Sequence, residues 1–228
     1  MELRPWERYW QEGIGGQGEH FLRGNRQKEH PSRLRIAVLA SKYDSVLECG
    51  CATAIDYVYH TQHGTRYTGI DITPKFIESA KKINPDADIR VGNVLDLEFP
   101  GSSYDTVYER AVFEHMHPLE WPLAFYEMWR VAKHQVILAF FGWKQNRKGV
   151  ARISILDRLR SEIPGFPEVK PTRIVKPTEG PGRSSALNHS TSHPDIVDVI
   201  ESVTDKWSYE QTVKQKGYKT YHIYTAKK

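Results

Sequence analysis

A chain of 228 residues that is 39% hydrophobic is long enough to bury one sizeable core, and no apolar run in it approaches the roughly 18 residues that a membrane-spanning helix needs. Its 32 Lys and Arg against 28 Asp and Glu leave a formal charge of +4, too balanced to point to nucleic acid by itself. The beginning Met1-Glu2-Leu3-Arg4-Pro5-Trp6 is too polar for a secretory signal, and Cys49 and Cys51, the only cysteines, lie too close at a strand end for an unstrained disulfide. They read as free small residues in a reducing, cytoplasmic compartment. A metal site on Cys-x-Cys would have to draw its histidines from far away in the chain.

In chain order, residues 1–32 place Trp6, Tyr9 and Trp10 ahead of Gly13, Gly15, Gly16 and Gly18, an aromatic arm with a glycine hinge that reads equally as a lid or as a docked terminus. A helix is expected over 33–40, then a strand over 45–48 that breaks at once into Cys49-Gly50-Cys51-Ala52-Thr53-Ala54. Small residues at such a turn let a ligand approach the backbone, and the helix that follows (55–61) opens with unpaired N–H groups. A second strand (67–70) ends on Asp71 and Ile72. There Thr73 and Pro74 are suited to start a helix that runs to Ile83 and stops at Asn84-Pro85. A third strand (87–91) ends at Gly92-Asn93-Val94, a fourth spans 104–108, and Glu109 to His117 leaves it irregularly. A helix over 118–132 precedes the apolar run 136–141, the mark of a strand covered on both faces. Residues 142–193 break the rhythm with a helix candidate (150–163) and a Pro-, Gly- and Ser-rich tract. A helix over 195–203 and two strands, 207–213 and 220–226, joined at Lys216-Gly217 as a hairpin, close the chain. Strands alternating with helices make a doubly wound, mostly parallel α/β sheet the economical architecture, here of seven strands with an antiparallel C-terminal hairpin.

Leu47-Glu48-Cys49-Gly50-Cys51-Ala52-Thr53-Ala54 resembles the acid-x-Gly-x-Gly-x-Gly motif of class I S-adenosylmethionine-dependent methyltransferases, with Ala52 and Ala54 in place of two glycines. Alanine does not easily adopt positive φ, so the loop is expected to depart from the family's if both stay at negative φ. Asp71 is similar to that family's acid for the ribose hydroxyls, Gly92-Asn93-Val94 to its adenine-binding turn, and Tyr104 through His115 to its fourth motif in the small-molecule branch. The resemblance covers about 33–141 and 195–226. It implies a Rossmann-like methyltransferase fold, S-adenosyl-L-methionine as cofactor and S-adenosyl-L-homocysteine as product. The implied cofactor contacts are Glu48, Gly50, Cys51, Ala52, Asp71, Ile72, Asn93, Val94, Glu109 and Arg110.

The sulfonium methyl is already electrophilic, so catalysis needs in-line alignment and, for some acceptors, a base. His115 and His117 after the fourth strand and His189 in the 142–193 insertion are the candidate bases, with His193, Glu109 and Glu114 nearby in the pattern. The nucleic-acid motif Asn/Asp-Pro-Pro-aromatic is missing after that strand, where Tyr108-Glu109-Arg110-Ala111 stands instead. This favours methylation of an O or N atom of a small molecule, a natural-product or sugar-type intermediate. The expected reaction is metal-independent, in one domain over 1–228, with the arm and the insertion forming the acceptor wall. An RNA methyltransferase, a non-enzymatic binding protein and a nicotinamide-dependent dehydrogenase are the alternatives; no membrane partner is expected, and a homodimer is left open.

Overall fold

Five parallel segments pair side by side, and helices pack on both faces of the sheet they form. A computed structural model describes residues 31–113, 116, 120–141, 193–211 and 221–228. The elements are α1 (Pro31–Ala40), β1 (Ser45–Cys49), α2 (Tyr57–Gln62), β2 (Arg66–Asp71), α3 (Pro74–Ile83) and β3 (Asp88–Val91). They continue with β4 (Tyr104–Arg110), α4 (Trp121–Val131), β5 (Ala132–Phe141), α5 (His193–Glu201), β6 (Trp207–Gln211) and β7 (Tyr221–Lys227). One seven-stranded sheet runs in the order β3-β2-β1-β4-β5-β7-β6. The strands β1 to β5 are parallel, and β7 is antiparallel to both β5 and β6. This is the expected doubly wound sheet with an antiparallel C-terminal pair. Its order reverses between β1 and β4, which opens a crevice at the carboxyl ends of those two strands.

Local chemistry sets the element ends. In α3, Pro74 occupies the first turn, where a missing N–H costs nothing, Phe76, Ile77 and Ala80 face the core, and Asn84 ends the helix just before Pro85. In α4 the buried Trp121, Ala124, Phe125, Met128 and Val131 follow a helical repeat. The strand β5 starts at Ala132 rather than 136, because buried Gln135 donates to Leu39 O and to Thr106 Oγ1 and so keeps a polar residue inside the ladder.

Successive residues of β1 serve opposite faces. Leu47 and Cys49 join Phe113, Trp121, Phe125 and Leu138 under α4 and α5, while Val46 joins Ile36, Tyr67, Tyr108 and Ile137 under α1 and α2. No described helix is long and apolar enough to cross a membrane. The N-terminal arm, most of the 142–193 insertion with its expected helix, and the hairpin turn lie outside the described residues.

Candidate functional site

The turn after β1 alternates into the left-handed region: Gly50 lies at φ 76, Ala52 at 48 and Ala54 at 50. The condition for a loop that departs from the family's, both alanines at negative φ, is therefore not met; they reproduce with methyl-bearing residues the conformation that glycine adopts freely, at roughly 1–2 kcal/mol each. Hydrogen bonds hold them there. Gly50 N and Cys51 N both donate to Ile70 O (2.7 and 2.8 Å), Ala54 N donates to Cys51 O (2.7 Å), and Ala52 N donates to Asp71 Oδ2 (3.0 Å). From the end of α3, Asn84 Nδ2 donates to Ala54 O (3.0 Å). Gly50 has a second constraint, since a Cβ there would meet Val112 Cγ2 at 2.3 Å. The turn after β4 thus closes directly on the turn after β1.

Asp71 ends β2 beside this loop and is nearly buried. Its Oδ1 accepts Thr73 N (2.9 Å) and its Oδ2 accepts Ala52 N (3.0 Å). Burial raises its pKa, opposed by those two N–H donors and by the Thr73 hydroxyl. A carboxylate offers about four acceptor positions, so Asp71 keeps acceptor capacity for a ribose hydroxyl. Ile72 follows directly. Asn93 and Val94 lie at the end of β3, where Gly92 N donates to Asp71 O (3.0 Å) and Asn93 Oδ1 accepts Leu95 N (3.1 Å) in a local turn, keeping one lone pair.

At the end of β4 the two sequence candidates face opposite ways. Glu109 is fully buried; Oε2 accepts Val112 N and Phe113 N (2.7 and 3.3 Å) and Oε1 accepts Ala139 N (3.0 Å). Its carboxylate builds the turn and has no surface from which to take a substrate proton. Arg110 lies on the α1/α2 side, with Nε on Asp56 Oδ2 (3.3 Å), Nη1 on Tyr221 OH (3.0 Å) and the guanidinium over the Tyr221 ring. Nη2 makes no hydrogen bond among the described residues. Burial works against its charge, but Tyr221, Glu48 and Tyr108 outweigh that and leave its pKa raised.

Sequence reasoning missed the polar layer behind this loop. Glu48 is buried, receives the Tyr67 hydroxyl and is also hydrogen-bonded to Tyr108. His60 Nε2 is 3.1 Å from Tyr108 OH. With the Tyr108 proton given to Glu48, His60 must donate from Nε2, which leaves buried Nδ1 as an unpaired acceptor. Burial raises the Glu48 pKa against the pull of Tyr67, Arg110 and Arg33. Asp56 pairs with both Arg33 and Arg110, and Arg33 is lowered to about 10 by burial and by Arg110. The one hint in the sequence was a strand that alternates Tyr67 with Gly69: a Cβ at Gly69 would lie 2.7 Å from the Tyr67 hydroxyl, so the glycine gives the ring its path to Glu48.

Cys49 and Cys51 are free and buried, and burial raises both thiol pKa values well above the usual range. His115, His117, His189 and Glu114 lie outside the described residues, and His193 is placed only as the first residue of α5. A cavity of about 310 Å³ lies at the opposite, amino ends of the strands, lined by Ser45, Arg66, Asp88, Tyr104 and neighbours. Arg90 there is held by both oxygens of Asp88, and the cavity is far from the crevice of the order reversal.

Residues 47–140 match the family described as a methyltransferase domain. No curated protein matches the chain. Among solved structures, magnesium protoporphyrin IX methyltransferase from Synechocystis, with S-adenosylhomocysteine bound, is similar at TM-score 0.63 and 15% identity over 98% of both chains. Burkholderia thailandensis 1,6-didemethyltoxoflavin-N1-methyltransferase, with 1,6-didemethyltoxoflavin and S-adenosylhomocysteine bound, has TM-score 0.61 and 12% identity over 100% of this chain and 91% of its own. A Methanosarcina mazei SAM-dependent methyltransferase has TM-score 0.57 and 21% identity over 82% and 92%. At these identities the likeness shows the fold.

Proposed function

We propose that this chain, whose residues 47–140 match a methyltransferase domain, is an S-adenosylmethionine-dependent methyltransferase that methylates an O or N atom of a small molecule, with the cofactor seated on the loop between β1 and α2. The observation that carries the seat is the convergence of the left-handed turn 50–54, Asp71 and the Asn93 turn at the carboxyl ends of β1, β2 and β3, with acceptor capacity of Asp71 unspent. When bound there, the cofactor supplies a methyl group on sulfur that needs no further activation, only alignment. Asp71 would receive the ribose hydroxyls, Asn93 and Val94 the adenine edge, and the backbone of Ile72 would flank them. Gly50, Cys51 and Ala52 offer close backbone approach, with Glu48 fixing their strand from behind. Arg110 would offer its Nη2 donors to the charge of the amino-acid end. Glu109 supports this seat by shaping the turn that carries Val112 to Gly50. A base, where the acceptor needs one, is assigned from chain position to His115, His117 or His189.

A small acceptor is supported by the strand-four segment Tyr108-Glu109-Arg110-Ala111, which lacks the Asn-Pro-Pro pattern of nucleic-acid amino-methyltransferases. It is supported also by likeness over the whole chain to an enzyme crystallised with 1,6-didemethyltoxoflavin. Calorimetric titration with S-adenosylhomocysteine tests the seat. Asp71→Ala is expected to lose about 1–3 kcal/mol of binding, the scale for hydrogen bonds to a charged group, and unchanged affinity in a folded variant removes Asp71 from the site. Transfer of labelled methyl to members of a metabolite library tests the acceptor class; labelling only of RNA overturns it.

A further inference from the structure

A residue held at φ 50 with a side chain persists only where its surroundings leave it no alternative. The three parts of the β1–α2 turn are held differently. Its first residues, Gly50 and Cys51, hang on Ile70 O, and its middle, Ala52, hangs on the Asp71 carboxylate. Its last left-handed residue, Ala54, is fully buried in the cluster that also holds Ile77 and Ala80, and its carbonyl takes Asn84 Nδ2 at 3.0 Å and Tyr57 N at 3.3 Å. The Tyr57 bond is local and belongs to the start of the helix. The Asn84 bond comes from 30 residues away, and Asn84 is itself anchored, with its N–H on Ala80 O at 2.8 Å and its carbonyl taking Ala87 N at 3.1 Å. Relaxing Ala54 to negative φ would rotate its peptide and carry that carbonyl off the amide.

We infer that Asn84 is a positioning residue for the cofactor loop: its side-chain amide holds Ala54 in the left-handed conformation and so keeps the turn 50–54 in the shape that seats the ligand. This rests on the seat proposed above. In a chain with glycine at position 54 the conformation costs nothing and no such anchor is required, so the two residues are coupled.

The test compares wild type, Asn84→Ala, Ala54→Gly and the double variant. Asn84→Ala is expected to weaken S-adenosylhomocysteine binding about five- to tenfold, the loss of roughly one hydrogen bond, and to quicken amide hydrogen exchange at residues 52–54 without ligand. Ala54→Gly sets the reference for the loop without the strained alanine, and the double variant is expected to recover to within about twofold of it. A merely structural Asn84 would leave the double variant at least as impaired as Asn84→Ala, and that result overturns the inference, as does unchanged exchange at 52–54. If Asn84→Ala does not fold, Asn84→Asp, which keeps the size but turns an acceptor toward Ala54 O, is judged by the same rescue. Failure of the wild-type chain to bind S-adenosylhomocysteine, with exchange still quickened by Asn84→Ala, refutes the seat while leaving the anchor standing.

Discussion

Ala52 is the residue at which backbone conformation and side chain disagree most openly: φ is 48, yet the methyl is only partly buried, so little packing compensates for it. Replacing it by glycine removes roughly 1–2 kcal/mol of local strain and adds about 0.5–1 kcal/mol of unfolded-chain entropy. Ala52→Gly is therefore expected to raise stability by several tenths to about 1 kcal/mol in urea unfolding, with cofactor affinity unchanged; a lower midpoint contradicts it. At Glu48 the balance is of another kind. Its buried carboxyl is supplied with donors by Tyr67 and Tyr108, so removing one leaves an acceptor that water cannot reach. Tyr67→Phe is expected to destabilise by about 1–3 kcal/mol, read from the same unfolding curves. No change would mean that Glu48 does not need this donor.

At the scale of elements, the ends of β1 and β4 are one construction. Glu109 bends the chain after β4 onto three backbone donors, Ala111 sits at φ 62, and Val112 lands where a Cβ of residue 50 would be. Gly50→Ala is expected to cost more than about 2 kcal/mol, from left-handed strain plus overpacking, and Val112→Ala in the same chain is expected to return the overpacking part. Thermal melts of the two singles and the double separate the contributions, and a double no better than Gly50→Ala shows that no clash exists. Much of this level was legible in the sequence. Apolar runs ending on Glu48, Asp71 and Asn93 fix three strand ends to within a residue or so, and Thr73-Pro74 and Asn84-Pro85 bracket α3. The polar start of β5 was not legible, because Gln135 is satisfied by Leu39 and Thr106, residues far away in the chain. Nor was the layer of Glu48, Tyr67, Tyr108 and His60, since polar residues in strands read as solvent-facing unless their partners are known. Positive φ at alanine has no signal of its own, and Asn84 announces a helix stop whether or not its amide reaches Ala54.

Across the whole molecule these buried polar groups set how stability responds to pH. Burial drives the His60 pKa from 6.5 to about 3, so the folded chain keeps it neutral while the unfolded chain protonates it. Its contribution is fully present above pH 6.5 and is lost as pH falls toward 3. Glu48 and Asp71 run the other way: burial raises both, so their contribution is present at low pH and is lost as pH rises through their folded values. Glu127 and Asp88, lowered by hydrogen bonds from Arg130 and Arg90, contribute above the ordinary carboxylate range and lose it only below. Between pH 6 and 5, then, His60 is, among the described residues, the group that makes the wild-type fold weaken on acidification, with Glu48 and Asp71 partly opposing it. A single uncompensated proton is worth about 1.4 kcal/mol per pH unit, so the difference in slope between wild type and His60→Phe should approach about 1 kcal/mol per unit in that window. The phenylalanine ring keeps the stacking on Tyr67 at 5.6 Å but leaves the Tyr108 oxygen without its donor, so the variant is expected to be less stable at pH 7 and yet flatter in its response below it. Urea unfolding at pH 7, 6 and 5 reads both quantities, and parallel slopes for the two chains would show that His60 is not buried as a neutral imidazole behind the loop.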